Sequence, residues 1–573
     1  MFLEALCDFY DLLRRHNVGD LPKEGLSLAK ISYCLILSKT GELVDIMDMR
    51  TQAKNRRIPT QMFVPEQRGR GNSITPYFLS DNEKYILGIG DSSDLKYFTS
   101  FKELHNQLLD NNHPIVLFLN KLNPHELANH PVIKNYYEDI KNVNFIFRVE
   151  GESKYIHEDE SLILKWWDYL NSKETVKMQC LITGEYDNIS RLHNFIKGVK
   201  NAQPAGAKLI SFNDQSFNSY GKVDSYNAPV GIKSMFKYTT AINYLLANRN
   251  HKIDIGDISV VFWAKKIGQY ESLLVELINP TDLSGKNANE SHVDYETCYL
   301  AKRIIEKYSK GEKLNYEEHN LDPHTTVNIM GISANNARLF IPFYERNNFS
   351  LFVERLVKHH QDLEIVNLHD SLSLSRIIYE TISKKSKQKK PSPILVQELS
   401  RSVLTGKKYP ETLYNAIITR IRADKVINPH RAAIIKACLI RKNDRKEKYT
   451  VGLNPDSNSV PYNLGRLFAV LEKAQLDAMG KLNTTLKDRY YSSASSAPAS
   501  VFPALLRLSI HHTSNSEFGG YYENLKRKIM DKIPEFPKQM TLAEQGDFVL
   551  GYYHQYQNFF EKKTKNKEDK TNE

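Results

Sequence analysis

Apolar positions along this chain follow two periods, and the place where one gives way to the other is the first sign of its organisation. Leu3, Leu6, Cys7, Tyr10 and Leu13 fall at helical spacing and predict a short amphipathic helix. Ile31, Tyr33, Leu35 and Leu37 alternate instead, and with the Thr40-Gly41 turn they predict a hairpin running to Met49. The runs YILGI (85–89), PIVLFL (114–119) and NFIFRV (144–149) predict further sheet, and WWDYL (166–170) supplies core aromatics. A helix is expected from Met235 to Leu246, and strands at 259–264 and 334–345. Between these elements, 51–72 and much of 180–264 are polar, basic and without a clean period, as exposed loops are.

The stretch SKKSKQKKPSP, 383–393, has five lysines and two prolines and reads as a basic linker or loop. After it the spacing is helical throughout: Leu464, Leu467, Phe468, Leu471 and Ala474, for example, form one apolar face. The expected fold class is therefore α+β. A mixed region spans 1–380, divisible into 1–175 and 176–380, with the linker at 381–393, an all-helical region at 394–561 and a charged tail at 562–573. The SSASSAPAS run, 492–500, predicts by composition a flexible connection between two helices, whose small side chains also let a backbone or nucleic-acid strand approach closely, so that it need not be a passive spacer.

Composition narrows the function classes. A chain of 573 residues buries more than one core, and its net charge of +11 favours a polyanionic partner without specifying one. The five cysteines, Cys7, Cys34, Cys180, Cys298 and Cys438, are widely scattered, which fits a reducing compartment and offers no close pair for zinc. With an acidic N-terminus and no apolar run of membrane-spanning length, the expectation is a soluble, cytoplasmic protein. No phosphate-cradling glycine motif and no HExxH sequence occur, so the reading is of a binding protein without catalytic residues, metal or cofactor. Asp45 and Asp48 fit an exposed hairpin edge better than a magnesium site. Basic and amide-bearing loops supply groups for phosphates and base edges, and 32 tyrosines supply stacking surface. A solvated surface explains each loop taken singly as well as a nucleic-acid contact does.

The motifs ITPYFLSDNEKYILG (74–88), CLITGE (180–185), RLHNFIKGVKNAQPAGAKLISFNDQSFNSYGK (191–222), NAPV (227–230), YTTAINYLL (238–246) and VVFWA (260–264) follow one another along the chain. With GRLFAVLEKAQ (465–475) and DRYYSSASSAPASVFPALLRL (488–508), they resemble the large subunit of the type I-C CRISPR surveillance (Cascade) complex. The resemblance implies a non-catalytic subunit of an RNA-guided antiviral complex. Such a subunit recognises the protospacer-adjacent motif (PAM) in duplex DNA, helps open the duplex, holds the displaced strand and helps recruit a separate helicase-nuclease. Implied partners are guide RNA, target DNA, backbone and guide-end-capping subunits, and small-subunit copies. The last can come from an internal start in the same gene, here covering the region after about 450.

On that footing, Lys54, Arg56, Arg57, Arg68 and Arg70 are expected to neutralise duplex phosphates. Asn72 and Ser73 are expected to read base edges, with Gln61 or Gln203 as the next candidates, and Gly69 and Gly71 to allow close backbone approach. The alternative for Asn72 is a cap on the turn before Ile74. Arg191, Lys197, Gln203, Lys208, Asn213, Tyr220, Lys222 and Lys237 are expected at the opened strands or guide RNA, and Arg466, Lys473, Lys487 and Arg489 along the displaced strand. The ordinary charged face of a helical bundle explains the last four equally well. Two other classes stay open: a metal-dependent nucleic-acid-processing enzyme and a scaffold that meets only proteins.

Overall fold

The computed structural model describes residues 2–19, 21–53, 56–68, 70, 73–89, 95–172, 176–281, 294–312, 315–369, 371–383, 390–443, 448–480 and 482–568. With 50% of residues helical and 16% in strands spread over several small sheets, the chain is α+β, as its two hydrophobic periods predict. It divides into two compact units. One comprises 1–198, 202–244 and 334–339; the other comprises 199–201, 245–333 and 340–573.

The first unit is built on a four-stranded sheet ordered Leu43–Asp48, Tyr33–Leu37, Asn144–Val149 and Asp81–Asn82. The predicted hairpin supplies the first two strands, pairing Tyr33 with Asp48, and it leaves the acid-bearing strand at the edge. Tyr33–Leu37 then pairs in parallel with Asn144–Val149, which requires a long crossover between them. That crossover contains the helices Leu95–Leu108 and Pro114–Lys121, which bury Phe101, Leu104, Ile115 and Phe118 in the core that covers the sheet.

Two apolar runs expected as sheet are helical. PIVLFL opens the helix Pro114–Lys121, with Pro114 at its first turn and His113 Nδ1 accepting from the Ile115 amide at 3.3 Å. YILGI enters the short helix Glu83–Ile86, capped by the Asn82 side chain. Runs this short carry no usable period, so the caps decide. Conversely, the stretch expected to be irregular from Thr51 contains the strands Thr51–Ala53, Arg56–Ile58 and Thr60–Pro65, the last pairing with Leu26–Ile31. Trp166 is buried as expected, stacked 5.3 Å from Phe78, and its indole N–H donates to the Glu66 carbonyl at 2.9 Å.

The second unit carries a four-stranded sheet ordered Lys252–Ile255, Ile258–Ala264, Thr326–Asn335 and Arg338–Asn348. Ile258–Ala264 is buried along its whole length, which is why it reads as a continuous apolar run. The tip of the last hairpin, 334–339, groups with the first unit. From Pro393 onward the described chain is helical. The SSASSAPAS run is less of a spacer than expected: helices Leu486–Ala494 and Pro498–Ser514 take up most of it, and Ser495 is buried.

Helices Val460–Met479 and Leu542–Glu568 meet at glycines: a Cβ at Gly465 would overlap the Phe548 carbonyl, and one at Gly551 the Tyr462 carbonyl. Alanine at an ordinary helical glycine gains about 1 kcal/mol of helix propensity. At Gly551 the overlap outweighs that gain, and Gly551→Ala is expected to lose about 1–3 kcal/mol in denaturant unfolding.

Candidate nucleic-acid interface

The residues expected at duplex DNA separate by what their charges meet. Asp48 accepts from Arg50 Nε and Nη2 at 2.8 Å, from the Arg50 amide at 3.0 Å and from Arg57 Nη1 at 2.6 Å. The Arg50 and Arg57 hydrogen bonds hold the Asp48 carboxyl well below the usual carboxylate range, against the opposing effect of its burial. Arg57 nevertheless stays 60% exposed, and Gln61 is exposed on the strand Thr60–Pro65. Lys54, Asn72, Gly69 and Gly71 lie outside the described residues, as does the Arg56 side chain.

Arg68 and Arg70 face inward. Arg70 pairs with buried Asp81, and its guanidinium lies 3.5 Å from the Tyr77 ring centroid and 4.0 Å from that of Tyr85. Asp81 also accepts the Tyr77 and Asn82 amides at 2.8 Å; burial pushes its carboxyl up to about 6, with Arg70 and those amides opposing. Arg68 pairs with Glu66 at 3.5 Å, donates to Asn171 at 3.0 Å and lies 5.8 Å from the Trp167 ring. Burial raises the Glu66 carboxyl, while Arg68 and the Asn194 side chain act against it. Ser73 is exposed, and its hydroxyl donates to the Arg70 carbonyl at 2.6 Å. These two arginines therefore fix the loop from inside; Tyr77, Asp81 and Tyr85, the partners of Arg70, carried no role in the sequence reading.

Of the second group, the hairpin tip meets Gln203, Lys208 and Asn213. Lys208 donates its amide to the Ala337 carbonyl and accepts from the Leu339 amide, both at 3.0 Å, so an irregular segment gains a strand partner. Gln203 Nε2 donates to Asn336 Oδ1 at 3.1 Å, and Arg338 donates to Asn213 while its guanidinium covers the Phe217 ring at 4.3 Å. The Lys208 ammonium lies 4.9 Å from the Phe195 ring centroid, and burial pulls its pKa below the ordinary value. Arg191 pairs with Asp224 at 3.2 Å, and Lys237 with Asp11 at 2.9 Å. Lys197 and Tyr220 are exposed and Lys222 is half-buried. Arg338, which organises this surface, stood in the sequence as the first basic residue after an Asn-Asn turn; that was the available signal.

In the helical region, Arg466 is only 4% exposed. Its Nε donates to Gln555 at 3.2 Å and its Nη1 to Pro455 at 3.2 Å and Asn463 at 3.1 Å, so these donors are spent inside the protein. Lys473 pairs with Asp477 and half-buried Lys487 with Glu472 at 3.8 Å, whereas Arg489 is exposed. Among the described residues, no three His, Cys, Asp or Glu side chains gather as metal ligands, and no helix is long and apolar enough to cross a membrane.

A basic loop surface on an α+β framework, followed by a helical bundle, is the architecture in hand, and comparison with known families gives it a place. The chain belongs to the CRISPR-associated Cas_Csd1 family, whose model, "CRISPR-associated protein (Cas_Csd1)", matches residues 6–560. It is thus a CRISPR-associated, Cascade-type protein. No curated protein matches it.

The contrast between tethers and exposed cations is measurable. Arg70→Ala leaves Asp81 buried without its cation and is expected to cost about 3–5 kcal/mol in chemical unfolding. Arg57→Ala removes an exposed partner and is expected to change stability by about 1 kcal/mol or less.

Proposed function

We propose that this chain is the non-catalytic large subunit of a type I-C surveillance complex in the cytoplasm, which recognises the PAM in duplex DNA. It aids duplex opening, stabilises the resulting R-loop and helps recruit a separate helicase-nuclease. Its partners are guide RNA, target DNA with its displaced strand, the backbone and guide-end-capping subunits, and small-subunit copies.

The observation that carries this reading is family membership over 6–560 combined with the loop surface around Arg338, where cations and amides sit on a braced, irregular backbone. An irregular backbone held by a rigid hairpin presents donors at fixed spacing without blocking close approach. Arg57, Gln61 and Ser73 are exposed, Ser73 on the loop fixed by Arg70, and fit the duplex side, whereas Lys197, Lys222 and Tyr220 fit opened strands.

The test is target binding by complexes assembled with and without the chain, on matched and PAM-altered duplexes. PAM discrimination is expected only with the chain present; equal binding to both duplexes overturns the reading, and divalent-metal-dependent cleavage by the purified chain alone favours the enzyme alternative. Lys197→Ala with Lys222→Ala is expected to flatten the salt dependence, each lost duplex-phosphate contact lowering the slope of log affinity against log salt by about 0.9, or about 0.7 on a single strand. A pure scaffold leaves that slope unchanged.

A further inference from the structure

The chain from Ser219 to Lys222 makes a tight two-residue turn, closed by the Lys222 amide donating to the Ser219 carbonyl at 3.0 Å and by a bridge between the same two residues. Tyr220 and Gly221 both have positive φ, +51° and +71°. Asn-Gly suits such a turn, because Asn tolerates the left-handed region and an aromatic residue does not. Tyr220 therefore carries backbone strain on the order of 1 kcal/mol or more. Its side chain gains nothing from burial in return, being 97% exposed.

The turn is also braced. Asn227 accepts from the Ser219 amide at 3.0 Å and donates to the carbonyls of Lys222 and Asp224 at 3.1 and 3.0 Å. The Arg191–Asp224 pair at 3.2 Å lies just behind it, and Arg338 fixes neighbouring Phe217. A strained aromatic held outward by a fixed support is a presented ring.

We propose that Tyr220 is a base-stacking contact, its ring resting on a nucleobase of an unpaired strand in the opened target. This rests on the function proposed above and assigns the turn to a strand. Bases inside a duplex are already stacked and offer no free face, so an outward ring finds its partner only where the strands have separated. Along the same segment, 191–224, Arg191, Lys197, Lys200, Lys208 and Lys222 are set against two acids in sequence, Asp214 and Asp224, a balance that favours a polyanionic partner. Of the large apolar residues three positions away on either side, Phe217 is covered by the Arg338 guanidinium at 4.3 Å, and Val223 is 50% exposed but offers no ring.

The test uses assembled complexes carrying wild-type chain, Tyr220→Phe or Tyr220→Asn, with the fluorescent base analogue aminopurine placed along each strand of the opened region. Asn suits the turn and removes the ring, so the variant folds without the stacking group. Tyr220→Phe is expected to bind and quench as wild type. Tyr220→Asn is expected to lose quenching at one position and bind opened target about 5- to 100-fold more weakly, with unchanged assembly and a melting temperature equal to wild type or higher, because the turn strain is relieved. Wild-type affinity and quenching in Tyr220→Asn overturn the stacking role. Loss of assembly with unchanged DNA binding also overturns it, in favour of a protein contact. If complexes lacking the chain altogether bind target as well as complete ones, it is the underlying reading that fails, whatever the Tyr220 variants do.

Discussion

The candidate surface depends on one short piece of backbone pairing. Residues 191–227 form no strand or helix longer than a single turn, yet buried carbonyls and amides need partners. The paired bonds of Lys208 with Ala337 and Leu339 supply two of them, using the end of a hairpin whose body is part of another sheet, and the pairing of Ile196 with Ala207 supplies two more. Once that junction is fixed, Gln203 meets Asn336, Asn213 meets Arg338, and the turn carrying Tyr220 has a base to stand on. Polar loop chemistry is thereby given strand-like positioning at low cost in conformational entropy on binding.

Burial sorts the cations into two kinds. Arg70, Arg68 and Arg466 lose their hydration and recover the energy from carboxylates, carbonyls and aromatic faces. Arg57, Lys197 and Arg489 remain in water, where a pair with a neighbour is weak and exchangeable for a phosphate. The first kind sets loop geometry and the second is available for binding, although both look alike in a list of basic residues.

Much of the fold was legible in the sequence. The hairpin from Tyr33 to Asp48, the strand Ile258–Ala264 and the helix Val460–Met479 each have a period long enough, or a run apolar enough, to identify themselves. PIVLFL and NFIFRV were not separable on that ground: each is six residues of mostly apolar chain, and Pro114 with the His113 cap makes only the first a helix. The site was less legible. Tyr220, Lys197 and Lys222 were identifiable as chemistry, but what braces the turn carrying Tyr220 and Lys222, Asn227, was visible only as loop.

By itself the sequence determined the α+β class, the change to helix after the basic stretch, the inventory of cations and amides, and the family to which the chain belongs. Those are local or cumulative properties, carried by neighbouring residues. Only the tertiary structure decided which cations are tethers and which are free, because that depends on the segment that arrives opposite. Lys237 finds Asp11 across 226 residues and Arg466 finds Gln555 across 89, separations over which no period in the chain carries information.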